Sequence, residues 1–151
     1  MDLIKFSNEV EYAQENNIPI VALESTIITH GMPYPDNLKT ARLVEESIRK
    51  LGAVPATISV MNGLINVGMT DNQLQEFSQI LDSAKLSRAD LAVCLSKGQT
   101  GSTTVAATMI IAKLANIEVF ATGGIGGAHP GSELSFDISS DLYELSKTAV
   151  N

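Results

Sequence analysis

The chain has 151 residues, 44% of them hydrophobic and 18% charged, which suits one domain with a packed core and argues against disorder. A net charge of −7 leaves no basic footprint, which excludes nucleic acid polymers and anionic membrane surfaces as partners. No apolar run approaches the ~18 residues of a membrane span, and one cysteine forms no internal disulfide framework, so a cytoplasmic protein is expected.

Ser7 opens a short predicted helix, SNEVEYAQENN, with Val10 and Tyr12–Ala13 as a weak apolar face. PIVALEST follows as a strand ending in Glu24, Ser25 and Thr26. Beyond the turn-rich HGMPYPDN, Asp36 or Asn37 is expected to cap the clearest helix. Leu38, Ala41, Leu43–Val44 and Ile48 recur there at helical spacing, Arg49–Lys50 face its negative end and Gly52 closes it. VPATISVMNGLINVGM reads as two strands joined by Asn62–Gly63, a strong hairpin signal.

Thr70 and Gln73 form a capping box for a helix that turns Leu74, Phe77, Ile80 and Leu81 inward. LAVCL reads either as a buried strand or as part of a short helix, and Cys94 within it reads as a core thiol. Ser102–Thr104 lead into an alanine- and isoleucine-rich buried helix, IEVFA is a strand, and Ser139 or Ser140 caps a last helix through Leu145. Thr148–Asn151 reads as the first step into a further strand, so the fold is expected to be incomplete. The pattern is α/β in a single domain over residues 1–151, with a mixed, mostly parallel sheet flanked by helices.

Four constellations carry candidate chemistry. Glu24 stands at the end of an apolar strand, a partly desolvated setting suited to general acid–base work, although a plain strand-end carboxylate looks the same. His30 reads as a loop hydrogen-bonder. KGQTGSTT leads hydroxyls into a helix N-terminus, which is either an anion site or simple N-capping; it lacks the G-K-[ST] of a P-loop. ATGGIGGAHPGSELSFDISSD crowds five glycines after a strand, but His129 stands where a dinucleotide fingerprint needs its third glycine. Within the same run, Asp137 and Asp141 flank Ser139–Ser140, a donor set for a hard divalent ion or a capped helix start.

VALESTIITHGMPYP, GAVPATISVMNG, AKLSRAD, TGSTTVAATMIIA and VFATGGIGGAHPG…DISSDL together resemble the pseudouridine-5′-phosphate glycosidase family, in order and from Ile18 onward. The resemblance implies reversible cleavage of pseudouridine 5′-phosphate with water to uracil and ribose 5-phosphate. The bond broken is carbon–carbon, so the family opens the ribose and forms a lysine imine at C1 as an electron sink. On this resemblance Glu24 is the proton donor and Asp137 the ligand of a manganese ion. Lys85, Val105, Ser139, Ser140 and Asp141 contact substrate, with Lys85 placed to pair with the phosphate.

The resemblance also implies a homo-oligomer and a chain roughly twice as long. The imine-forming lysine is expected in an AGAK-like motif beyond Asn151, and Lys147 lies before that motif. The expectation is therefore an amino-terminal portion that is inactive alone or completed by a complementary carboxyl-terminal half. The alternative is a non-catalytic remnant that binds sugar phosphate or associates with a complementary chain.

Overall fold

The computed structural model describes residues 3–151. In chain order the strands are β1 (Ile4–Phe6), β2 (Ile20–Leu23), β3 (Val54–Met61), β4 (Leu64–Val67), β5 (Ala84–Leu86), β6 (Gly101–Thr103) and β7 (Val119–Ala121). The helices are α1 (Asn8–Glu15), α2 (Asp36–Lys50), α3 (Asp71–Ser78), α4 (Arg88–Ser96), α5 (Val105–Leu114), α6 (Ser132–Ser135) and α7 (Ser140–Leu145), with a π-helical turn at Ile27–Gly31. All seven strands join one sheet along β1-β4-β3-β2-β7, with β6 beside β3 and β5 beside β6. Pairing is parallel except where β3 meets β4 and β6. This is the mixed, mostly parallel α/β sheet the sequence indicates.

The long strand β3 organises the molecule. Val54, Ala56, Ile58 and Val60 alternate onto the main core, where Ala107, Ile111 and Ala112 of α5 cover them. The intervening residues face α2 and α3: Thr57 donates to Glu45 Oε1 at 2.6 Å, and Met61 packs by the cluster of Ile28, Leu38, Leu74 and Phe77. Both faces are covered, so β3 is buried along almost its whole length, the polar Thr57 and Ser59 included. Its first half pairs with β2 up to Leu23↔Thr57, while Ser59↔Ser102 and Val60↔Gly101 tie its second half to the oppositely running β6. Two parallel strand pairs, β2/β7 and β5/β6, therefore run toward each other along β3, and their carboxyl ends meet.

Several local signals hold. Ser7 caps α1, Thr70 and Gln73 form the capping box of α3, Thr104 caps α5 and Ser139 caps α7. Asn62 (φ 52°) and Gly63 (φ 73°) make the hairpin turn, where two positive φ values favour this dipeptide. LAVCL is helical, within α4, and Cys94 is buried in the core. The backbone of Asn151 exchanges two hydrogen bonds of 2.8 Å with the outer edge of β7, at Phe120 and Glu118.

Other expectations need correcting. Neither Asp36 nor Asn37 caps α2; Pro35 holds that position, and the Pro33 carbonyl accepts both of their N–H groups. The Asn37 side chain instead bridges the Ile28 and Ser78 carbonyls at 2.7 and 2.8 Å. Leu81 is 96% exposed rather than inward, because α3 ends at Ser78 and the helical period stops with it. Leu43 and Val44 are exposed as well, since α2 turns Leu38 and Glu45 inward instead. Strands β1, β5 and β6 are three residues each, too short to show a period of two in the sequence.

Candidate active site

The site forms where the two sets of strand ends converge. Ser25, after β2, and Thr103, ending β6, join them: the Thr103 N–H donates to Ser25 Oγ at 2.9 Å, and Thr26 Oγ1 donates to the Thr103 carbonyl at 2.6 Å. Thr103 Oγ1 in turn donates to the Ile58 carbonyl at 2.8 Å and accepts from Thr108 Oγ1 at 2.9 Å. Ser25, Thr103 and Thr108 are fully buried, so these bonds form away from competing water and fix the junction. Glu24 projects from it.

A polar cleft of about 450 Å³ opens over this junction. It gathers Glu24 from just after β2, Lys85 from β5, Val105 from α5 and Ser139, Ser140 and Asp141 from the start of α7. Residues from four segments, as far apart in sequence as Glu24 and Asp141, thus share one space. Thr26 and Ser87, which sequence reasoning did not single out, line the same cleft, as do Thr104 of the KGQTGSTT run and Gly124, Gly126 and His129 of the glycine loop. The available signal was the hydroxyl or glycine that follows each strand end. Asp137 is the exception: it is exposed and does not line the cleft.

Glu24 is half-buried, and Thr122 Oγ1 donates to its Oε1 at 2.5 Å. Thr122 is itself set by the Gly124 N–H, which donates to Oγ1 at 3.2 Å. Beside Glu24, away from the polar cleft, lies a second cavity of about 310 Å³ bordered by Leu23, Ile28, Ala41, Val44 and Ala121. The carboxylate therefore stands at the boundary between a polar and an apolar space, a position suited to moving a proton onto or off a bound molecule. Lys85, also in the cleft lining, is exposed and forms no ion pair with any described residue. His30 hydrogen-bonds through Nδ1 to Thr29 Oγ1 (2.7 Å) and Ser102 Oγ (3.2 Å), away from the cleft.

The glycine run and the helix start behave differently from a nucleotide cradle. Asp141 Oδ1 accepts the Ala106 N–H and Oδ2 accepts the Gly126 N–H, both at 2.8 Å. The amino end of α5 is thus occupied by the protein's own carboxylate, aided by the Thr104 cap, and the capping alternative prevails over an anion site there. Gly126 is required for closeness: a Cβ there would stand 2.1 Å from Ser139 Oγ and 2.5 Å from Ser139 Cβ. Only one helical turn, α6, follows the glycines.

Asp137 sits between the loop and α7, its carbonyl accepting the His129 N–H at 3.2 Å. Among the described residues no three His, Cys, Asp or Glu side chains converge as a metal cage. One exposed carboxylate fits only a hard ion that keeps most of its water, as magnesium-type ions do. Lys147 is turned onto Tyr143, 4.1 Å from the ring centroid, and does not line the cleft.

Comparison with known proteins sharpens this arrangement. Residues 9–151 match the family model described as "Indigoidine synthase A like protein". Pseudouridine-5′-phosphate glycosidases of Jannaschia sp. and Roseobacter denitrificans are 60% and 58% identical over 97% of this chain. The alignments cover 49% and 47% of those proteins, so the chain spans about half the length of the curated relatives it matches. The prealnumycin C-glycosynthase AlnA, solved in complex with ribulose 5-phosphate, superposes with TM-score 0.89 at 41% identity, covering 99% of this chain and 48% of AlnA. An indigoidine synthase A-like protein of Thermotoga maritima superposes with TM-score 0.84 at 30% identity, covering 96% of this chain and 46% of that protein.

Proposed function

The chain belongs to the indigoidine synthase A-like family, and from that membership we propose that its polar cleft is the acid and phosphate portion of a pseudouridine-5′-phosphate glycosidase site. The observation that carries the reading is the convergence of Glu24, Lys85, Val105 and the Ser139–Asp141 segment in one cleft. The ribulose 5-phosphate bound by AlnA supports a phosphorylated five-carbon sugar as the ligand class.

In this reading Lys85 pairs with the phosphate as a point charge, free to do so because no described carboxylate neutralises it. The Ser139 and Ser140 hydroxyls, in the same lining, hydrogen-bond the opened sugar. Glu24, with Oε1 held by Thr122, exchanges the proton at the uracil carbon as the C–C bond breaks or forms. Asp141, at the cleft's edge, also serves the site by holding Gly126 and the start of α5 in place.

The imine needs an amine facing the sugar. The family resemblance implies that it lies in an AGAK-like motif within the remaining length of the relatives, and Lys147, which lies against Tyr143, does not line the cleft. By this reading the 151-residue chain binds ribose 5-phosphate but needs a complementary carboxyl-terminal half for turnover. A manganese ion would be held by Asp137 with water, next to the cleft rather than in its lining, and would supply positive charge there. The exposed apolar residues Ile27, Leu43 and Val44 support association into an oligomer. The free, buried Cys94 thiol suits a reducing cytoplasm.

The test is titration of ribose 5-phosphate onto the chain, followed by borohydride trapping. Binding that falls at least ~10-fold in Lys85→Met is expected, since a charge-assisted contact contributes about 1.5–3 kcal/mol. No covalent adduct is expected on this chain alone, and one should appear once the carboxyl-terminal half is supplied. Absence of binding overturns the site; an adduct on Lys85 or Lys147 overturns the assignment of the amine.

A further inference from the structure

Two segments that line the cleft are joined by one ion pair. Arg88 opens α4, three residues after Lys85, and Glu144 lies one turn after Asp141 on α7. The guanidinium grips the carboxylate as a fork, Nε to Oε2 at 2.7 Å and Nη2 to Oε1 at 3.0 Å. Thr148 Oγ1 also donates to Glu144 Oε1, and the Arg88 guanidinium lies 5.8 Å from the Tyr143 ring centroid. Of the ion pairs among the described residues, this is the one whose carboxylate is wholly excluded from solvent.

Its placement distinguishes it from ordinary surface pairs. Lys85 and Ser87 line the cleft from the β5–α4 segment, and Ser139, Ser140 and Asp141 line it from the start of α7, so each segment forms one part of its wall. A two-point fork fixes distance and angle together, which a single contact does not. Residues three apart on a helix share a face, so Asp141 and Glu144 both point into the body of the protein. Asp141 then fastens α7 to Gly126 and Ala106, while Glu144 fastens it to the Lys85 segment.

We infer that Arg88 and Glu144 are positioning residues: their fork sets the separation between the Lys85 segment and the Ser139–Asp141 segment, and so the affinity for a phosphorylated sugar. The affinity half of this inference rests on the proposed function of the cleft. The geometric half does not. A buried ion pair often contributes little net stability, and a well-packed apolar pair of similar volume replaces it at little cost, whereas removing one partner strands a charge. Apolar packing, however, is non-directional and specifies no fork.

That difference provides the experiment, performed on the 151-residue chain. Arg88→Met alone is expected to be destabilised, because Glu144 loses its partner. The double variant Arg88→Met/Glu144→Met is expected to recover most of the thermal stability. In the double variant, exchange of the Gly126 amide should still rise at least ~10-fold, and ribose 5-phosphate should bind at least ~10-fold more weakly. Arg88→Lys, which keeps the charge but loses the fork, should fall between.

A purely structural pair would recover protection and affinity together with stability, and that result overturns the inference. Gly126 protection that stays at the wild-type level in both Arg88→Lys and the double variant overturns it whatever the ligand does. If the wild-type chain fails to bind ribose 5-phosphate, the reading of the cleft falls, and Gly126 exchange alone decides whether the fork sets that separation.

Discussion

Asp141 accepts the backbone N–H of Ala106 at 2.8 Å, so the amino end of α5 already holds an anion belonging to the protein. A helix N-terminus attracts negative charge through its free N–H groups and its dipole. Here that attraction is used internally, to dock α7. A phosphorylated ligand of the kind proposed for the cleft would have to find its charge elsewhere, and Lys85 is the one Lys or Arg side chain that lines it.

Asp141→Ala should therefore lower stability rather than merely weaken ligand binding. It strands two N–H groups, at Ala106 and Gly126, at about 1–3 kcal/mol for each one left buried and unpaired. Asp141→Asn should be destabilising too, since its amide group turns a donor toward a donor. Chemical denaturation of the chain without ligand checks both, and a wild-type midpoint in Asp141→Ala would remove the docking role.

The glycines of the loop should not respond alike. Gly126→Ala forces a Cβ against Ser139 and is expected to cost about 1–3 kcal/mol, as overpacking does. Gly127→Ala meets nothing within 4 Å and has no left-handed φ, so it should be neutral or slightly stabilising through the unfolded chain. Thermal melts of the two variants side by side test the contrast.

Glu45 and Glu144 are both buried carboxylates with opposite pH signatures. Burial pushes Glu45 above the usual carboxylate range, against the opposing pulls of Thr57 and Arg49. A raised folded-state value means a contribution fully present below the unfolded value and lost as pH rises through the folded one. Glu45→Gln should thus gain stability relative to the wild type as pH rises from about 4 to 7. Urea midpoints across that range decide it, and a difference independent of pH would show that Glu45 does not titrate as described.

The hydrogen bonds of the Arg88 guanidinium hold Glu144 below the usual carboxylate range, against the pull of desolvation. A depressed value gives stability present above the unfolded pKa and lost as pH falls through the folded one. Glu144→Gln should flatten the acid limb of the stability curve below about pH 4.5, where the wild-type chain declines. Acid titration monitored by circular dichroism compares the two slopes.

Cys94 should resist thiol reagents in the native chain. Burial, and secondarily the charge of Asp90, raise its thiol above the ordinary cysteine value, and the reactive species is the thiolate. Its modification rate should follow unfolding, rising with denaturant rather than with modest increases in pH.

How much was legible follows from the range of each interaction. Ser7, Thr70 with Gln73, Asn62–Gly63, Thr104 and Ser139 act on backbone groups within a few residues, and their signals hold. The same short range explains the misreading of α2, where local preference named Asp36 or Asn37 and the preceding Pro33 turn satisfied those N–H groups instead. Leu81 fails for a related reason: helical spacing continues in the letters after the helix has ended.

What the sequence by itself determined was the set of elements with local signatures, the α/β class, and the motifs that single out Glu24, Lys85 and Ser139–Asp141. Only the tertiary structure decided what those residues touch. Glu24 meets Thr122 across 98 positions, Ser25 meets Thr103 across 78, Arg88 meets Glu144 across 56 and Ala106 meets Asp141 across 35. Such pairs leave no periodicity, because they are set by strand register along β3 and by where two opposed strand pairs end. For the same reason Asp141 reads in sequence only as a carboxylate near the site, and the fold alone shows that it both lines the cleft and accepts the N–H groups of Ala106 and Gly126 at 2.8 Å.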